Sequence, residues 1–338
     1  MGERSAKARD PIQAVSRLGG RTGEAALRVG ISSCLLGQEV RFDGGHKRDR
    51  FLTDTFGRFV EWVPVCPEVE AGFGTPRESM RLVDTDGRLR FVTVRTQSDL
   101  TDTLERYARR RVDELAGDDL SGYVLKKDSP SCGLERVKVY ARATAPKRTG
   151  TGLFAAVLRR RYPFLPVEDE GRLSDPRLRE NFIERVFAYR RARELFQPRW
   201  TIAELVVFHT AHKLILLAHS TAAYRTLGQT VARSRSLPRS EVEVRYFEGF
   251  MTALAAIATP RRHTNVLQHM AGYFKSLLDR DEKAELAATI EDYRAGLVPL
   301  VVPMTLIRHH VRRHDVAYLA QQIYLDPHPK ELMLRNHV

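Results

Sequence analysis

This 338-residue chain has three cysteines, and each follows an apolar run that reads as a short buried strand. Leu27-Arg28-Val29-Gly30-Ile31 leads into Ser32-Ser33-Cys34-Leu35-Leu36-Gly37. Phe59-Val60-Glu61-Trp62-Val63-Pro64-Val65 leads into Cys66-Pro67-Glu68, and Tyr123-Val124-Leu125 precedes Ser129-Pro130-Ser131-Cys132-Gly133. In an open parallel sheet, ligands bind beyond the carboxyl ends of the strands. Three cysteines at three such ends would therefore converge on one site.

From Leu27 to about Arg172, strand-like and helix-like stretches alternate. This predicts an α/β domain over 27–172 with a Rossmann-like, mostly parallel sheet. Asp86-Gly87 between Met80–Val83 and Arg90–Val94 predicts a hairpin. Ser98 or Asp99 caps a helix that carries Leu100, Leu104, Ala108 and Leu115. A short helical stretch is expected over Asp49–Phe59. Residues 173–338 lack strand alternation and are expected to be all-α. Pro176 starts one helix, and the Thr201…Glu204 capping box starts another that runs to about His219. Further helices are expected over 241–258, 265–278, 282–295 and 304–324. Residues 1–26 read as a basic, flexible leader.

Fifty-five Lys and Arg against 42 Asp and Glu leave a net charge of +13. That balance favours a polyanionic partner, nucleic acid first, over a merely solvated basic surface only about evenly. Basic clusters recur at Arg159-Arg160-Arg161, Arg190-Arg191 with Arg193, Arg233 with Arg235 and Arg239, Arg261-Arg262, and Arg308 with Arg312-Arg313. An odd cysteine count suits a reducing compartment. No signal-peptide core is evident, and the apolar stretch Leu205–Ala218 is broken by His209, His212 and Lys213. The expectation is a cytoplasmic protein. The histidine pairs His209/His212 and His310/His314 share helical faces. With no carboxylate at ligand spacing, they suggest interdomain bonding or RNA contact rather than a metal site.

No Cys-x-x-Cys motif is present, so a local zinc knuckle is unsupported. Three thiolates brought together by the fold can hold a zinc with a water, or an iron–sulfur cluster with one iron open. Three buried thiols acting as small hydrophobes satisfy the sequence equally well.

The three cysteine segments, taken with Arg41-Phe42-Asp43-Gly44 and Thr75-Pro76-Arg77, resemble the TudS thiouracil desulfidase family over residues 27–170. The second half, with His212-Lys213, Gly272-Tyr273-Phe274-Lys275 and Pro327-His328-Pro329-Lys330-Glu331-Leu332, resembles the helical domain fused to TudS in RudS-type desulfidases of transfer RNA. The resemblance implies a 4Fe–4S cluster on Cys34, Cys66 and Cys132, with its fourth iron free to take the thiocarbonyl sulfur of 4-thiouridine. Water would then add at C4 without net electron transfer, leaving uridine and sulfide. Proton transfer requires a nearby group. Glu68 is the first candidate, with pairing to Arg77 or Arg81 as its structural alternative. Glu61 ranks lower, since five residues of strand would set it roughly 16 Å from the cysteine. The family implies a serine near the third cysteine, which here is Ser129 or Ser131, with Lys127 and Asp128 beside them. Phe42 stands where relatives often have Tyr. The expected partner is thiolated tRNA. Alternatives are a desulfidase of free thiouracil-type bases, an RNA-binding protein with a purely structural cluster or zinc, and a Cys₃ zinc hydrolase.

Overall fold

The computed structural model describes residues 27–141 and 144–337, so the expected leader over 1–26 lies outside the described residues. The chain forms two compact units that meet in sequence between Phe182 and Ile183. This point falls inside one continuous helix, Pro176–Leu195, rather than at 172/173. Asp175 Oδ1 accepts from the backbone N–H groups of Arg177 and Leu178 and starts that helix.

In the first unit, β1 (Arg28–Ser32), β2 (Glu61–Val65), β5 (Gly122–Leu125) and β8 (Val167–Asp169) form an all-parallel sheet in the order β2-β1-β5-β8. Every residue of β5 is buried, as the unbroken apolar run demands of a strand covered on both faces. Gly30 lets the Tyr123 ring lie against β1, because a Cβ there would stand 2.2 Å from it. Helix α1 (Thr101–Glu114) buries Leu104, Tyr107, Ala108 and Val112, and α2 (Leu153–Arg161) places Phe154 against Tyr123.

A second sheet has the order β4-β3-β6-β7, built from β3 (Met80–Thr85), β4 (Arg88–Thr93), β6 (Val137–Ala141) and β7 (Thr144–Gly150). The expected hairpin at Asp86-Gly87 is there, with both residues at positive φ. The β6–β7 pair was not anticipated. The stretch expected to be helical over 49–59 is instead a π turn, Phe51–Thr55, followed by a 3₁₀ turn, Phe56–Arg58.

The second unit contains helices and no strand among its described residues. After α3 (Pro176–Leu195) come α4 (Ile202–His219), with the Thr201/Glu204 capping box, and α5 (Thr221–Ala232). They are followed by α6 (Arg239–Ala255), α7 (Pro260–Ala271), α8 (Arg280–Arg294) and α9 (Val301–Arg313). The helix expected over 304–324 ends at Arg313, and Asp315 turns left-handed at φ 47. Helix α4 is long and apolar enough to cross a bilayer by length and composition. Its Leu205, Phe208, Leu214, Ile215 and Leu216 are buried inside this unit.

His209, His212, His219, His263 and His310 are also buried, which removes them from any contact with RNA. The bonds of four of them stay within the helical unit. His209 meets Tyr246, His212 the Phe208 carbonyl, His263 Tyr324, and His219 both Glu184 and the Ala256 carbonyl. Burial pushes His209 and His328 down to about 4 and His263 to about 3. Their folded values lie below the unfolded value of about 6.5, so their contribution is complete above that pH and is lost as pH falls through about 6.5 to 4. Each proton contributes up to about 1.4 kcal/mol per pH unit, or up to roughly 4 kcal/mol per pH unit for the three together. The helical unit is therefore expected to lose melting temperature steeply below pH 6.5 in thermal scans followed by circular dichroism. A flat profile down to pH 4.5 would contradict this.

Candidate active site

The carboxyl ends of the neighbouring strands β2, β1 and β5 open into one cavity of about 400 Å³. Cys34, Cys66 and Cys132 all line it, together with Glu68, Ser129 and Ser131. Cys34 sits in a 3₁₀ turn, Ser33–Leu36, that closes on Gly37 at φ 94, where the Gly37 N–H donates to the Cys34 carbonyl at 3.3 Å. Cys66 begins the next turn, and Glu70 anchors it, its Oε1 accepting from the Cys66 N–H at 2.8 Å. Glu70 Oε2 accepts from the Tyr107 hydroxyl. Sequence reasoning missed Glu70, whose spacing of four from Cys66 within a helix-like start was the available signal.

The third cysteine loop is shaped by glycines. A Cβ on Gly152 would stand 2.4 Å from the Ser131 carbonyl oxygen, and one on Gly133 would stand 2.7 Å from that of Ser129. Inside the loop, Ser129 Oγ accepts from the N–H groups of Cys132 at 3.1 Å and Ser131 at 3.3 Å. With both N–H groups aimed at it, the Ser129 hydroxyl hydrogen is left for Ser131 Oγ, 2.9 Å away. Ser131 Oγ in turn donates to Glu68 Oε1 at 2.6 Å. The other carboxylate oxygen, Oε2, accepts from Arg77 Nε at 3.0 Å and Nη2 at 2.5 Å. Arg77 is itself fixed by the carbonyls of Val40 and Gly74, each at 2.9 Å. Ser131 Oγ also lies 3.6 Å from Cys132 Sγ. Its single hydrogen goes to the carboxylate, the stronger acceptor.

Glu61 does not belong to this site. It opens β2 at the far end, is exposed, and pairs with Arg28 on β1 at 3.0 Å. Glu61 is not buried despite lying in a strand, because it takes the exposed first position of β2. Phe42 lines the cavity and is 41% exposed, so an aromatic face stands at the mouth with no hydroxyl. Arg41, Lys47, Arg77, Lys126 and Lys127 line the cavity with only Glu68 and Asp128 as lining acids, which makes the lining positive.

Burial pushes the Cys34 thiol up to about 11, with Lys126 opposing, and it raises Cys66 and Cys132 as well. Burial thus favours the neutral form of these thiols, and binding a metal would release their protons. Among the described residues, no group of three or more His, Cys, Asp or Glu side chains is arranged to hold a metal ion. A lone zinc needs every sulfur about 2.3 Å from a single centre. A polynuclear cluster binds each thiolate at a different iron, so three soft donors spread around one cavity fit it better.

A family model described as 2-thiouracil desulfurase matches residues 29–170, and one described as protein of unknown function, DUF1722, matches residues 213–329. The uncharacterized protein YbgA of Escherichia coli strain K12 is 34% identical over 161 residues, 47% of this chain and 95% of YbgA. The uncharacterized protein YbbK of Bacillus subtilis strain 168 is 31% identical over 138 residues, 38% of this chain and 87% of YbbK. Among solved structures, the 4Fe-4S-dependent thiouracil desulfidase TudS is 29% identical, covering 44% of this chain and 93% of its own, with a TM-score of 0.37. A parallel sheet whose strand ends carry three cysteines into one cavity defines an α/β domain with a thiol-lined site. This chain belongs to the 2-thiouracil desulfurase family, and a DUF1722 domain follows the desulfurase domain.

Proposed function

We propose that the protein is an iron–sulfur-dependent, non-redox desulfidase that converts 4-thiouridine in transfer RNA to uridine and sulfide. The observation that carries this reading is that the chain's three cysteines, from the ends of three adjacent strands, line one cavity beside the Ser131–Glu68 pair. A 4Fe–4S cluster on Cys34, Cys66 and Cys132 would supply a soft Lewis-acid iron for the thiocarbonyl sulfur. Around it, Glu68 takes a proton from the attacking water, and Ser131 passes protons between the carboxylate and the departing sulfur. Arg77 holds the carboxylate in place. The positive lining draws in a polyanion.

The RNA reading is supported by the helical unit, where Arg233, Arg235, Arg261 and Arg312 are exposed and, among the described residues, have no ion-pair partner. Arg191 is buried and donates to the Pro327 carbonyl at 3.0 Å, and Arg308 pairs with Asp326, so neither belongs to that surface. The desulfurase family description favours a second reading, desulfidation of a free thiouracil-type base. Anaerobically reconstituted protein incubated with thiolated tRNA, and separately with free 4-thiouracil, decides between them. The expected result is loss of 4-thiouridine with stoichiometric sulfide from the tRNA at the higher kcat/KM. Sulfide from neither substrate would overturn the desulfidase reading.

A further inference from the structure

Three cations stand in one row across the second sheet. The register puts Lys138 on β6 opposite Arg148 on β7, and the parallel pairing of Leu82 with Val139 puts Arg81 on β3 beside Lys138. With strands about 4.8 Å apart, the row is roughly 10 Å long. Like charges directly across strands destabilise a sheet. Here only Arg148 has a carboxylate partner, Asp128 at 2.9 Å. Among the described residues, no carboxylate is in ion-pair reach of Arg81 or Lys138. Arg81 is held by the Tyr140 ring at 4.9 Å and by Gln97 at 3.4 Å, and its Nε is buried with no hydrogen-bond partner. The row lines a second cavity of about 210 Å³. Met80, Asp128 and Pro130 form part of both cavities, so the two adjoin, and Pro130 precedes Ser131.

We infer that this second cavity is a phosphate subsite of the desulfurase domain itself. Arg81, Lys138 and Arg148 would grip a phosphate group next to a base whose thiocarbonyl enters the cysteine cavity. The inference rests on the desulfidase reading for the base, but the charge row and its unpaired donor stand independently of it. A planar guanidinium and a neighbouring ammonium match a phosphate's several acceptor oxygens. The row offers nothing comparable to a free base.

The test uses the full chain and the double variant Lys138→Ala/Arg148→Ala, both at exposed positions, with Lys138→Ala alone as a second form should the double variant melt early. Fluorescence anisotropy measures binding of an unthiolated oligouridylate over a salt series, which does not depend on turnover. Loss of two phosphate contacts is expected to reduce the log–log salt slope by about 1.4. In the desulfidation assay, kcat/KM for 4-thiouridine monophosphate, and for an oligonucleotide containing one 4-thiouridine, is expected to fall about tenfold relative to that for free 4-thiouracil. An effect on both phosphate substrates places a phosphate of the thiolated nucleotide in the row, and an effect on the oligonucleotide alone places a neighbouring phosphodiester there. An unchanged slope together with an unchanged substrate ratio overturns the subsite. No sulfide from any substrate but a reduced slope overturns the desulfidase reading and leaves the phosphate seat standing.

Discussion

Alanine at Cys34, Cys66 or Cys132 is expected to abolish sulfide release and to remove bound iron, while far-UV circular dichroism stays that of the parent. The three thiols come from three separate turns, so no neighbour can substitute for a lost ligand. The sheet that carries those turns is held by other residues. Val29, Ile31, Val124 and Leu125 are fully buried, and Glu70 holds the Cys66 backbone without the thiol. Trimming one sulfur from such a frame costs little beside the loss of a ligand. Iron content, acid-labile sulfide and the spectrum are measured together. Unfolding of all three variants would instead support a structural cluster or zinc, and retained turnover in any one would break the three-ligand assignment.

Glu68→Gln and Ser131→Ala are expected to lower kcat by about 10² to 10⁴, the usual contribution of a positioned proton-transfer group, with iron retained. The two variants separate chemistry from architecture. Glu68 and Arg77 have side chains only 12% and 7% exposed, and breaking a buried pair costs about 3–5 kcal/mol, so Glu68→Gln also lowers stability. Ser131→Ala leaves that ion pair intact and removes only the hydroxyl between the carboxylate and the third cysteine. A rate loss in both variants, with a displaced pH–rate profile, fits proton transfer. A rate loss confined to Glu68→Gln, in step with its melting temperature, would reduce Glu68 to an anchor for Arg77.

The strands that carry the cysteines were legible because each is short and mostly apolar, and in β5, where every residue is buried, the run is unbroken. The hairpin at Asp86-Gly87 and the helix started by Thr201 were legible because turn and cap chemistry is local. What stayed hidden depends on pairing across the chain. β6 has only the brief alternation Val137-Lys138-Val139 and β7 carries Lys147 and Arg148; they become strands because β6 joins β3 and β7 joins β6. Ser131 could not be told from Ser129 by sequence. The distinction arises only when Glu68, 63 residues away, accepts from one and the loop's own N–H groups occupy the other. Glu61 misled because strand membership was read as burial, whereas the first residue of a strand can look outward to Arg28.

The helix that passes uninterrupted through the 172/173 position has a practical bearing on dissection. Arg179, in its first turns, donates to the Leu173 carbonyl at 2.6 Å and lies 4.3 Å from the centre of the Phe51 ring. Phe182, one step short of the divide, is also buried. A chain stopped after Arg172 would leave Phe51 without its cover, and silence from such a fragment would say as much about a damaged desulfurase domain as about a missing helical one.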